Sequence, residues 1–216
     1  MITDNRILQL IPICMLFLTI KLIANFWFFR VFHLDLFNWH LKVSGSALLI
    51  TGAFVLLDFS SKKFGSKVGV LMLIVGIVCD GFFSYGINFI ANLPHSGSYN
   101  QFEQQNNILL QLLADRVVRL YNHEVFAAII SYSVELFLFN YLSKYISSFS
   151  LASFIAIFLI KSIHTILVVS GTLHGQSDVM QLIAGNILAN TFFSIVYIGL
   201  INLYNQYIPY LFKTEK

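Results

Sequence analysis

The chain has 216 residues, of which 57% are hydrophobic and 11% charged, against about 25% charged in soluble domains. A mean hydropathy of +0.77 and 22 phenylalanines exclude an ordinary soluble domain, because too few polar groups exist to cover so much apolar surface; a bilayer is the expected solvent. The net charge of +3 is small and scattered, which points away from nucleic acid and toward lipid headgroups as the partner of the basic loops.

Six apolar runs follow one another, at roughly 7–29, 43–59, 68–93, 117–142, 151–173 and 179–204. Each has about the length that a bilayer core demands. Backbone polar groups in lipid must be satisfied within the segment, and continuous runs read as helices rather than barrel strands. The predicted fold is an all-α integral membrane protein, a single polytopic domain of six transmembrane helices over 1–216. The first run is too long for a signal-peptide core and lacks a small-residue cleavage site, so it reads as a retained helix.

Between the first two runs, "RVFHLDLFNWHLK" (30–42) is amphipathic and carries Trp39, as an interfacial segment would. The run 43–59 leads into "LLDFSSKKFGSK" (56–67), where Asp58 closes an apolar stretch ahead of Lys62, Lys63 and Lys67. Residues 94–107, "PHSGSYNQFEQQNN", form the one strongly polar loop. With six spans, one side holds Arg6, Lys62, Lys63, Lys67, Lys144, Lys213 and Lys216, and the other holds Arg30, Lys42 and Arg116. The positive-inside rule then puts both termini in the cytoplasm.

Polar residues inside the runs are the functional signal. A charge near the bilayer centre costs at least about 2.5–3.5 kcal/mol on insertion scales. Lys21, Asp80, Arg119, Glu124, Glu135, Lys161 and His164 all fall within runs. Lys161 and His164 share one face of the fifth run, and a cavity-lining role outweighs a misplaced helix end. Asp80 reads equally as half of a structural ion pair, with Lys21 or Lys161, and as a functional group. Arg119 lies one turn inside its run, where snorkelling suffices to explain it. Asn186 and Asn190 stand four apart, either as interhelical glue or as readers of a polar ligand. Cys14 and Cys79 lie in apolar runs without metal spacing and read as buried thiols. Nucleophile-elbow, zinc and phosphate-loop motifs are missing from the sequence, so no catalytic residue, metal or cofactor is expected.

Three stretches carry a resemblance. "FVLLDFSSKKFGSKVGVLMLIVG" has an acidic residue ending an apolar run, then a basic stretch with Phe64-Gly65; "RLYNHEVFAAIISYSVELFLFNYLSK" sets Arg119 near its start and Glu135 toward its end; "FFSIVYIGLINLYN" closes the chain's last run. Together they resemble the queuosine precursor transporter family, also called the vitamin uptake transporter family, over about residues 10–205. The resemblance implies a six-helix bacterial inner-membrane importer of 7-deazaguanine bases. The fifth span of that family carries an Asn/Ser-Asp-Thr constellation where this chain reads "KSIHT", and a last-helix lysine is replaced by Asn190. Fourth-span glutamine and aspartate positions become Tyr132 and Glu135.

The expected substrate-binding set is therefore Asp80, Glu135, Lys161, His164, Asn186, Asn190, Arg119 and Tyr132. Glu135 is the first choice for the carboxylate that accepts from a base edge. Asp58, Phe64 and Gly65 are expected as a gate or a structural, helix-end motif at the cytoplasmic membrane face. The expected partners are a small-molecule substrate and the bilayer, with room for a homodimer. Two other readings stand beside this one. The first is the binding subunit of an energy-coupling-factor vitamin importer, although the first run lacks the small-residue face that such subunits dock through. The second is a small membrane enzyme or assembly factor without transport activity.

Overall fold

The structure is a computed structural model that describes residues 4–36, 39–93, 101–173 and 178–211. The described elements, in order, are α1 (Asp4–Trp27), β1 (Val31–Leu36), β2 (Trp39–Ser44), α2 (Ser46–Phe64), α3 (Ser66–Ala91), α4 (Gln101–Tyr145), α5 (Phe149–Thr172) and α6 (Val179–Leu211). The six apolar runs thus emerge as six helices. Five of them, all but α2, are long and apolar enough to cross a membrane. Asp58, Lys62 and Lys63 all fall in the second half of α2 and lower its apolarity.

Low apolarity suits the place of α2 in the bundle. Thirteen of its nineteen residues are buried, and α1, α3, α5 and α6 pack around it. Its Ala53, Phe54, Val55 and Leu57 sit at the middle of the main core with Phe17 of α1 and Tyr132 of α4. The outer helices turn large apolar side chains outward instead, among them Leu71 and Phe82 of α3, Phe137 of α4 and Phe192 of α6. A soluble protein rarely exposes so large an apolar surface.

Residues 30–42 depart from the expected interfacial segment. Most of them form a two-stranded antiparallel hairpin with Val31 opposite Ser44 and Leu36 opposite Trp39. The alternation of Phe32, Leu34 and Leu36 with His33 and Asp35 suits a strand's period of two. The expected span 43–59 accordingly loses its first residues to β2. The hairpin packs on α6. Gly185 makes this possible, since a Cβ there would come within 2.1 Å of the Lys42 carbonyl oxygen. Lys42 and Asp178 pair across the same contact, and the Ser44 amide donates to Asn186 Oδ1 at 2.7 Å.

α4 also exceeds expectation. It runs for 45 residues, about 68 Å at 1.5 Å per residue, and absorbs the second half of the polar stretch 94–107. That segment holds Gln and Glu without Gly or Pro after residue 97, and these residues favour helix. Residues 94–100 lie outside the described part. At the other end of the bundle, α2 and α3 are separated by Gly65 alone, with φ 101° and ψ 154°. Essentially only glycine adopts that conformation, which explains the Phe64-Gly65 pair in local terms. Phe64 is half-buried against the main core.

Candidate functional site

Topology brings the polar residues of five helices together. The hairpin joins the end of α1 to the start of α2, so those two ends share one side with the C-terminus of α5 and the N-terminus of α6. In the half of the bundle nearest the hairpin lies a cavity of about 40 Å³. Its polar lining is Asn25 of α1, Ser46 of α2, Glu124 of α4, Lys161, His164 and Thr165 of α5, and Asn186 and Asn190 of α6. Ala24, Phe28, Ile50, Val168 and others complete the wall.

Part of this lining is fully engaged. Asn190 donates to Thr165 Oγ1 at 3.0 Å and accepts from Thr51 at 2.9 Å, which ties α2, α5 and α6 together. Asn186 spends its carbonyl on the Ser44 amide, leaving its amide NH₂ for the cavity. On the α1–α3 side, Lys21 pairs with Asp80 at 2.7 Å, and Asn25 donates to the other Asp80 oxygen at 3.2 Å. Gly76 permits the approach, because a Cβ there would sit 2.9 Å from the Phe17 ring and 3.3 Å from the Lys21 chain. Lys21 also lies 3.8 Å from Glu124.

Other groups are not engaged. Glu124 Oε1 and His164 Nδ1 are buried without a hydrogen-bond partner. Lys161 makes no ion pair within 4 Å among the described residues; its ammonium stands 4.7 Å from the centre of the Phe54 ring. Behind it, Phe54 and Tyr132 stack at 4.2 Å with planes 13° apart, and His164 meets both rings edge-on. The cavity therefore offers an ammonium without an ion pair, a carboxylate oxygen that lacks a hydrogen bond although the Lys21 ammonium stands 3.8 Å away, an imidazole nitrogen and an amide donor, with an aromatic pair close behind.

The expected site residues divide by place. Lys161, His164, Asn186 and Asn190 meet at the cavity. Asp80 stands behind it, tied to Lys21 and Asn25. Tyr132 lies beneath the cavity, stacked on Phe54, and its hydroxyl has no partner. Arg119 is exposed and joins none of these groups. Glu135 is fully buried deeper in the bundle, away from the lining, with neither oxygen bonded. Asp58 is not at an open membrane face, as expected of a gate, but has no exposed surface; Ser153 of α5 donates to it at 2.5 Å.

Glu124 and Asn25 line the cavity without having been placed in the expected binding set. Spacing carried the signal. Glu124, Tyr132 and Glu135 fall on one face of α4 at intervals of eight and three residues, and Lys21 and Asn25 are four apart on α1. No family model, curated protein or solved structure matches the chain. Among the described residues, no group of three or more His, Cys, Asp or Glu side chains is placed to hold a metal.

Proposed function

We propose that the protein is a polytopic membrane transporter whose six helices all cross the bilayer, α2 as the lipid-shielded centre. The particular reading is an importer of queuosine precursors, 7-deazaguanine bases, in the inner membrane with both termini cytoplasmic. One observation carries it: an apolar-faced bundle encloses a polar cavity whose Glu124, Lys161, His164 and Asn186 keep unspent hydrogen-bonding capacity. A deazaguanine presents an N–H and an exocyclic amine on one edge, which a carboxylate accepts as a pair. Glu124 supplies that carboxylate, replacing Glu135 in the role because it lines the cavity. Lys161 and the Asn186 amide donate to the ring's acceptors.

About 40 Å³ holds one or a few waters and is too small for a flat bicyclic base, so on this reading the cavity widens at the hairpin end to take the substrate. The energy-coupling-factor reading draws less support, since α1 turns bulky Leu8, Ile11, Met15, Leu16 and Phe26 outward rather than a small-residue docking face.

The test is to supply deazaguanine bases to a strain that neither makes nor otherwise imports them. Expression of the chain restores queuosine in tRNA, and Lys161→Met or Glu124→Gln at equal membrane abundance abolishes it. Queuosine that stays absent with the wild-type chain in the membrane would refute the precursor assignment.

A further inference from the structure

The buried ionisable groups do not balance. Asp58, Asp80, Glu124 and Glu135 are buried carboxyl groups, whereas Lys21 and Lys161 are the buried lysines. Lys21 is committed to Asp80. Lys161 lies in the field of Glu124 and Glu135 but forms an ion pair with neither within 4 Å. Among the described residues, even a charged His164, which faces both Lys161 and Lys21, leaves the interior one cation short. In a low-dielectric bundle such a deficit is met by a bound cation or a proton.

Geometry locates the deficit. Phe54 of α2 stacks on Tyr132 of α4, and both helices run away from the hairpin. Asp58 is four residues beyond Phe54, and Glu135 three beyond Tyr132, so each lies about one turn farther along the same face. The two carboxyl groups therefore stand at one level, and the charges acting on Glu135 are those of Asp58 and Lys161. Neither Glu135 oxygen has a hydrogen-bond partner, and Asp58 Oδ1 has none. Ser153 satisfies only Asp58 Oδ2. Nothing in the cavity lining uses this pair, which lies between the cavity and the α2–α3 turn.

We infer that Glu135, with Asp58 beside it, is a proton-binding site on the path from the cavity to the α2–α3 end of the bundle. A proton fits better than a metal cation because two carboxyl groups alone make a poor metal cage, and among the described residues no group of three or more His, Cys, Asp or Glu side chains is placed to hold one. In the transport cycle, which rests on the reading above, protonation and release at Glu135 accompany the opening and closing of the cavity. The site itself stands independently of that reading. The proton moves between carboxyl oxygens with no covalent bond to carbon altered.

The experiment uses the full chain in liposomes. A hydrophobic carbodiimide reacts with protonated carboxyl groups in apolar surroundings, and peptide mass spectrometry locates the adduct. Expected is an adduct at Glu135 at acid pH, lost at alkaline pH, and unchanged when sodium chloride replaces choline chloride. An adduct that sodium suppresses overturns the proton assignment in favour of a metal cation. No adduct at Glu135 while other carboxyl groups in the same sample react also overturns it.

A second arm measures uptake of a radiolabelled 7-deazaguanine base under an imposed pH gradient. The gradient accelerates wild-type uptake, and Glu135→Gln loses the acceleration while keeping exchange without a gradient. An adduct at Glu135 without uptake under any condition defeats the transport reading and leaves the proton site standing. Uptake with no adduct and no response to the gradient does the reverse.

Discussion

Two clusters of buried carboxyl groups, one around Asp80 and one at Asp58 and Glu135, are treated differently by the bundle. Toward the hairpin, Lys21, Asp80 and Asn25 satisfy one another, and Asn190 bridges Thr51 and Thr165. Toward the α2–α3 turn, Glu135 has no hydrogen bond at all and Asp58 keeps one oxygen bare. Partnered groups in a low-dielectric interior act as fasteners, and their removal leaves the partner stranded. Unpartnered groups contribute nothing to cohesion, so their presence points to a task that requires them. The same residue type, a buried carboxylate, thus has opposite meaning at Asp80 and at Glu135.

The sharpest way to break this comparison is to delete one carboxylate from each cluster. Asp80→Ala strands Lys21 and is expected to cost about 3–5 kcal/mol, read as a large drop in the thermal unfolding midpoint of purified protein in detergent. Glu135→Leu removes two buried, unbonded oxygens and is expected to stabilise by about 1–3 kcal/mol, raising the midpoint in the same assay. Equal losses from both variants would dissolve the distinction. The smallest effect belongs to the contact between the hairpin and α6. Lys42→Ala removes a half-exposed pair with Asp178 and should cost only about 0–1 kcal/mol, a shift near the resolution of the midpoint measurement.

Much of the bundle was legible in the sequence because apolar runs of spanning length have one common solution. α3, α5 and the start of α6 lie within two residues of the expected bounds. The hairpin was missed although its alternation was present. In "VFHLDL" the same residues that give a period of two also make an amphipathic surface, and Trp39 favoured the interfacial reading. The helical start of α4 was missed because "QFEQQNN" is polar, and polarity signals exposure rather than loop. The site was legible residue by residue but not as an assembly. Lys161 and His164 announced themselves on one helix face. That Glu124 would join them, and that Asp58 would meet Ser153 ninety-five positions on, depends on how helices align with one another. No local pattern encodes that.

The single glycine between α2 and α3 has a consequence for biogenesis. On the membrane reading, α2 leaves the ribosome as the one helix without a sufficiently apolar stretch of spanning length, with Asp58, Lys62 and Lys63 near its end, and it is poorly equipped to partition into lipid alone. Gly65 leaves no slack between it and the far more apolar α3. The two segments are thereby obliged to enter the bilayer as a paired unit, α3 drawing its weaker neighbour in behind it. A longer, looser connection would let α2 stall at the membrane surface during synthesis, with only α1 of the helices that finally enclose it already made.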